Sequence, residues 1–249
     1  MPDESFEELW DSAPRASRHF DPTTIAHLPE AARRYLEHTL APGAPLSTAV
    51  RLRMHGEIKV GGHWSDFEAD QVLRWDRGYV WRARTRVKSL PVRGADAFID
   101  GEGSMRWKML GLVPIVSAEG PEIARAAAGR LHAEAVWLPG ALLSDDVTWS
   151  ALDGSHPHAS IRAHGEGSEL DFTIDDRGAI VSLSLPRWLV AQDGGTSHYE
   201  PFGGTCGDDR DFGGITLPTT YRLGWYFGTE RFLPEGEFFR CTLDEVEHR

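Results

Sequence analysis

Residues 50–88 read VRLRMHGEIKVGGHWSDFEADQVLRWDRGYVWRARTRVK, and the spacing within them decides the fold. Val50, Leu52, Met54, Ile58 and Val60 alternate with Arg51, Arg53, His55, Glu57 and Lys59. A period of two with one apolar phase is the signature of a half-buried strand. Gly61-Gly62 then supplies a two-residue hairpin turn. The returning strand alternates Phe67, Ala69, Gln71 and Leu73 against Asp66, Glu68 and Asp70. Asp76-Arg77-Gly78 reads as a second turn, with glycine where positive φ is wanted. A third strand alternates Tyr79, Trp81, Ala83, Thr85 and Val87 with Arg82, Arg84, Arg86 and Lys88.

Pairing Trp75 with Tyr79 across that turn sets Leu73 opposite Trp81, Gln71 opposite Ala83 and Phe67 opposite Val87. On the other face it sets Asp70 against Arg84, Glu68 against Arg86 and Asp66 against Lys88. In this register the basic run is a ladder of solvated cross-strand ion pairs, each contributing ~0.2–1 kcal/mol, and not a nucleic-acid stripe. The inner face combines the small residues Gly56, Ala69 and Ala83 and the polar Gln71 with Met54, Leu73 and Trp81. Small residues at the centre of a sheet face leave room for something to approach, either a helix or a ligand.

The chain around this meander extends the pattern. Upstream, Pro29 sits where a helix starts, Leu28, Ala32, Tyr35 and Leu36 form one apolar stripe, and APGAP at 41–45 closes the segment. Downstream, VRGADAFIDGEGSMRWKMLGLVPIV holds two more strands around Gly101 and Gly103. AEGPEIARAAAGRLHAEAVWLPGALL follows, one strong internal helix over about 121–138, from Pro121 to just before Pro139. Strand patterning resumes in DVTWSAL, HASIRAHG, SELDFTID, AIVSLSL, ITLPTTYRLGWYF and EFFRCTLDEV. A turn at Asp176–Gly178 brings Leu170, Phe172 and Ile174 opposite Leu185, Leu183 and Val181. The fold class is therefore α+β, a large curved antiparallel sheet of about ten strands with one inserted helix and N-terminal helices. No polar linker divides the chain, so 1–45 is read as a helical segment packed on 46–249 within one domain.

Composition narrows the function classes. The 38 acidic against 26 basic residues leave a net charge of −12, which repels phosphate backbones and argues against a nucleic-acid partner. The longest apolar run, MLGLVPIV at 109–116, is too short to span a membrane. MPDESFEELWDSAP lacks the basic and apolar regions of a secretory signal, and Cys206 and Cys241 fit no zinc or CxxC pattern, so a cytoplasmic location is expected. No P-loop, GxSxG or HExxH motif is present, and GEGSM at 101–105 lacks the strand–helix context of a nucleotide site. His156-Pro-His158 with His164 reads as histidines on an exposed strand, and 207–213 (GDDRDFG) as a polar turn; neither reads as a metal site, and no cofactor is expected.

The helix raises the one pointed question. Ala127, Leu131, Ala135 and Leu138 form its apolar stripe, while Arg130, Glu134 and Trp137 lie on another line at spacings of four and three. Two placements are open: a surface ion pair beside Trp137, or a pair inside the mouth of the curved sheet. His132 and Glu134, at i and i+2, do not face each other.

LPEAARRYL, WSDFEADQ, GYVWRA, ADAFIDGEG, the helix segment and YEPFGGTCGDDRDFGGITLPTTYRLGW together resemble a family of uncharacterised bacterial proteins known only as a domain of unknown function. The resemblance covers roughly 28–247 and is most specific in the helix. Gln71, Trp81, Asp96, Gly101, Gly103, Arg130, Glu134, Pro139, Pro218 and Trp225 occupy its motif positions. His132, where the family usually has an apolar or small residue, and the Gly- and Asp-rich 193–212 depart from it. The layout it implies is a half-barrel similar to the lipoprotein-carrier type, a curved sheet wrapping helices over an apolar cavity, and it favours an interior Arg130–Glu134 pair. Fold does not fix function. The favoured expectation is a protein that binds an apolar, lipid-like or amphipathic small molecule between sheet and helix, with Gln71, Trp81, Asp96, Arg130, Glu134 and Trp137 as its ligand-binding residues. The alternatives are an enzyme using the Asp96, Glu134 and Arg130 cluster, and an interaction module with a filled core; no catalytic residue is assigned.

Overall fold

Gly61 and Gly62 take φ of +57° and +82°, the paired left-handed residues of a tight hairpin, and Val60 pairs with His63 across them. This is the first of a continuous series of hairpins in the computed structural model, which describes residues 2–191 and 195–249. Helices α1 (Pro2–Asp11) and α2 (Glu30–Thr39) precede β1 (Ala49–Val60), β2 (His63–Arg74), β3 (Gly78–Val87), β4 (Leu90–Ile99), β5 (Glu102–Met109) and β6 (Val113–Glu119). Helix α3 (Pro121–Glu134) then leads to β7 (Val147–Asp153), β8 (His156–Ala163), β9 (Glu166–Ile174), β10 (Ile180–Leu189), β11 (His198–Asp211), β12 (Thr216–Trp225) and β13 (Glu237–His248).

All thirteen strands form one sheet in the order β6-β5-β4-β3-β2-β1-β13-β12-β11-β10-β9-β8-β7. The first half of the chain meanders outward from β1, α3 carries it to the far edge, and the second half meanders back until β13 pairs antiparallel with β1. Helix α3 packs on β3 to β6 and also on β9 and β10. In a flat sheet β4 and β10 would stand about 34 Å apart at ~4.8 Å per strand, whereas a helix is only about 10–12 Å across. The sheet therefore curls around α3 as a half-barrel. Where strands crowd, glycine is required: a Cβ at Gly56 would lie 1.9 Å from the Arg240 carbonyl oxygen, and one at Gly204 1.8 Å from that of Arg222.

The concave face carries the main core. Tyr35 of α2 packs against Trp149 and Phe172, and α3 buries Ala127, Ala128 and Leu131 there. On the convex face Phe6, Leu9, Trp10 and Ala13 cover Ala49, Val72 and Val80 as a second, smaller core. No helix among the described residues is long and apolar enough to cross a membrane.

Several sequence expectations need correction. The sheet has thirteen strands, not about ten. The segment after β3 folds into three strands, and the Gly- and Asp-rich stretch, part of which (193 and 194) lies outside the described residues, contains the 14-residue strand β11. Residues 207–211 thus lie in a strand, and only the following Asp211–Gly214 segment turns, with Asp211 accepting from the Gly213 and Gly214 amides. The α-helix ends at Glu134 and tightens to a 3-10 turn over Ala135–Trp137. The β2–β3 register is closed by two residues, so Gln71 faces Trp81 and Leu73 faces Tyr79. The cause is Trp75, which leaves the ladder because its backbone amide donates to Thr48 and its indole to Asp146. The ladder consequently pairs Asp70 with Arg82 and Glu68 with Arg84, and Arg86 and Lys88 form no ion pair with Glu68 or Asp66. Phe172 faces Leu183 as expected, but Ile174 pairs with Ile180 across a bulge that pushes Val181 outward to 39% exposure.

Candidate functional site

Arg130 and Glu134 stand one helical turn apart on α3 and point into the half-barrel. The Arg130 Nε donates to Glu134 Oε1 at 2.7 Å and its Nη1 to Asp96 Oδ2 at 3.2 Å. Asp96 comes from the concave side of β4 and accepts from the Trp107 indole of β5 at 2.8 Å. Glu134 also accepts from the Gln71 amide of β2 at 2.5 Å. The guanidinium lies 4.8 Å from the Tyr79 ring centre and 5.1 Å from that of Trp81, within cation–π range. Four strands and one helix thus contribute to one charged cluster. The side chains of Arg130, Asp96 and Glu134 keep only 18%, 14% and 12% exposure, so this is the interior placement of the two left open by sequence.

Burial sets the electrostatics. It raises the Asp96 carboxyl above the usual range, against the opposing pull of Arg130 and the Trp107 hydrogen bond. It also works against the charge of Arg130, but the surroundings, Glu134 foremost, outweigh it and hold the guanidinium more firmly protonated than usual. The Tyr79 phenol is pushed up by the same burial.

Beside this cluster opens a cavity of about 530 Å³ between α3 and the sheet. That size falls within the range of about 300–1,000 Å³ typical of small-molecule sites. All six residues singled out from sequence, Gln71, Trp81, Asp96, Arg130, Glu134 and Trp137, lie on its wall. Most of the remaining wall is apolar, including Leu183, Phe202, Leu223, Trp225 and Phe239. The small residues Ala126, Ala127 and Ala133 on the helix leave the space unfilled.

One wall residue escaped the sequence reading. Arg187 on β10 is in phase with the buried Leu183 and Leu185 and so faces the concave side. The alternation could have revealed it, but the expected strand stopped at Leu185, before Pro186, whereas β10 runs on to Leu189. Its guanidinium lies 4.7 Å from the Phe202 ring centre and 5.4 Å from that of Trp225, and its Nε and Nη2 donate to the Ala126 carbonyl at a long 3.4 Å. Burial, followed by the like charge of Arg130, lowers its pKa to about 10, so it remains a cation at neutral pH.

His132 lies off this wall. It is fully buried, its Nδ1 is 2.8 Å from Ser168 Oγ, and its ring packs near Trp75 and His164. Burial holds its pKa at about 4, so it is neutral packing and no acid–base partner for Glu134. His156 is paired with Asp153, and His158 with Glu169 and Asp171. His164 is not on an exposed strand but in the β8–β9 turn, against Trp75 and Phe98. Among the described residues no three His, Cys, Asp or Glu side chains are grouped to hold a metal. A wider, more open depression of about 1,210 Å³ lies where the β4–β5 turn meets the β8–β9 turn. Four of its charged side chains are paired with one another, Arg106 with Glu119 and Arg125 with Glu166, and it has little of the aromatic wall that lines the interior cavity.

Residues 18–236 match the model of a family of unknown function, DUF6544. The chain belongs to this family. Within DUF6544 the matched span takes in both α3 and every residue of the charged cluster. Two solved structures are similar in fold. One is a LolA superfamily protein from Nitrosomonas europaea, with 8% identity, TM-score 0.46, and 88% of this chain and 92% of that one covered. The other is a domain named as an outer membrane lipoprotein-sorting protein from Vibrio parahaemolyticus, with 8% identity, TM-score 0.42, and 88% and 91% covered. No curated protein matches the chain.

Proposed function

We propose that this DUF6544 protein binds an apolar or amphipathic small molecule in the cavity between α3 and the half-barrel. The observation that carries the reading is the wall itself. An interior space of about 530 Å³ is lined by aromatic and aliphatic side chains, with polar groups gathered in a few places, the composition expected of a small-molecule site. A core built only to be filled would close such a space, because unfilled apolar volume is destabilising.

The enzyme reading fits less well. Both carboxylates are committed as fixed acceptors, Asp96 to Trp107 and Arg130, Glu134 to Gln71 and Arg130. A general acid needs a proton to give, and a general base a free lone pair, on an oxygen within reach of the reacting group. Here the cluster works as a rigid polar wall that fixes where α3 sits over β2 and β4.

The test is uptake of the apolar fluorophore N-phenyl-1-naphthylamine by the purified protein and by the double variant Ala126→Leu, Ala133→Leu, both positions being on the cavity wall. One fluorophore should bind per chain, and the folded double variant should bind none. Equal uptake by both proteins contradicts the cavity as the binding site.

A further inference from the structure

Among the described residues, Arg187 is a wall cation to which the packing of the protein itself gives no carboxylate partner. Of the cations on the cavity wall, Arg130 takes both carboxylates, at 2.7 and 3.2 Å, and Arg187 takes neither. Its partners among the described residues are two ring faces and one carbonyl at 3.4 Å shared by two of its nitrogens. Guanidinium carries five N–H donors in a planar fork suited to an oxyanion, so most of its capacity is unused. Its aliphatic stem packs by Gly129 of α3, the Cγ lying 3.6 Å from where a Cβ would stand. The head is thus held in place at the wall rather than swinging in solvent. A half-buried cation without a counter-ion is held at some cost in stability, and a core-facing strand position between Leu185 and Leu189 would ordinarily hold another aliphatic residue.

We infer that the molecule bound in this cavity is an amphiphile with an anionic head group, a carboxylate or a phosphate monoester, which Arg187 receives in bidentate fashion while the apolar tail lies against Leu183, Phe202, Leu223, Trp225 and Phe239. This rests on the cavity being a binding site and adds the chemical class of its ligand. The shape of the wall supports it: the aromatic faces that now flank the guanidinium, Phe202 and Trp225, continue directly into the apolar lining. Charge and tail would therefore be recognised by adjoining surfaces.

The experiment compares three probes with one tail, dodecanoate, dodecyl phosphate and dodecanol, titrated below their aggregation limits against the full chain, with tryptophan fluorescence as the readout. Arg187→Met and Arg187→Lys are measured beside the natural sequence. At least one anionic probe should bind roughly ten-fold or more tightly than dodecanol, as a charge-assisted bidentate contact in a dry site provides. The better anion identifies the head group. Arg187→Met should lose that preference while still binding dodecanol, and Arg187→Lys should keep part of it. In the empty protein Arg187→Met should unfold at the same or a higher urea concentration, because it removes an uncompensated charge; a clear fall would assign Arg187 to packing and overturn the inference. Equal binding of all three probes by the natural sequence also overturns it while leaving the cavity reading intact. Failure of all three to bind refutes the cavity reading itself.

Discussion

Replacing Arg130 with methionine separates the interior cluster from an ordinary helical ion pair. Methionine keeps the apolar stem and removes the charge, leaving two carboxylates facing each other's surroundings without their shared cation. Glu134 would retain the Gln71 amide and Asp96 the Trp107 indole, one donor each. Their side chains are only 12% and 14% exposed, so water cannot replace the lost partner at full strength. Breaking a buried pair by removing one member typically destabilises by about 3–5 kcal/mol. An exposed i,i+4 pair contributes only about 0.3–0.5 kcal/mol. Urea unfolding at pH 7, followed by tryptophan fluorescence, distinguishes the two readily. The expected result is a loss of about 3 kcal/mol or more at unchanged m-value. Adding Asp96→Asn and Glu134→Gln to Arg130→Met should recover most of it, since neutral amides no longer need the cation. A loss under about 1 kcal/mol for Arg130→Met, or no recovery in the triple variant, would refute the reasoning.

Further outcomes follow from other parts of the molecule. His132 has a pKa held at about 4 by burial, against 6.5 when unfolded. Between those values only the unfolded chain takes up the proton, so stability falls as pH drops from 6.5 to about 4 and this contribution levels off below. The full loss is about 3 kcal/mol. His164 and His248 are also lowered, in both cases by burial first, and add to the same slope. The check is the difference between the natural sequence and His132→Gln in urea unfolding at pH 7, 6, 5 and 4; parallel curves would show that His132 does not titrate with folding. Gly204→Ala places a Cβ 1.8 Å from the Arg222 carbonyl oxygen and should destabilise by about 1–3 kcal/mol by prising β11 from β12. An unchanged thermal midpoint would contradict that close approach.

Much of the architecture is legible in the sequence because strand and turn chemistry are local. Gly61-Gly62 fixes the β1–β2 register by itself, and the alternation of Met54, Ala69 and Trp81 places the concave face correctly. What fails is set by distant contacts. Trp75 leaves its ladder because Thr48 and Asp146 claim its N–H groups, and no local pattern announces that. Strand β11 is hidden by glycines whose purpose is close packing against Leu183 and Arg222, and glycine-rich sequence ordinarily reads as loop. The two candidate placements of Arg130 and Glu134 could not be separated along one helix, because Asp96 and Gln71 reach them from 34 and 63 residues away. Arg187 was within reach of the period-two rule, had the alternation been carried past Pro186.

Native mass spectrometry of the freshly purified protein, followed by denaturation and small-molecule analysis of the same sample, tests the binding-cavity reading most directly. The expected result is a mass above that of the bare chain by one apolar or amphipathic molecule, released on denaturation, and absent from the folded Ala126→Leu, Ala133→Leu variant. A bare-chain mass that persists after incubation with a total bacterial lipid extract, or an adduct that the double variant retains unchanged, would contradict it.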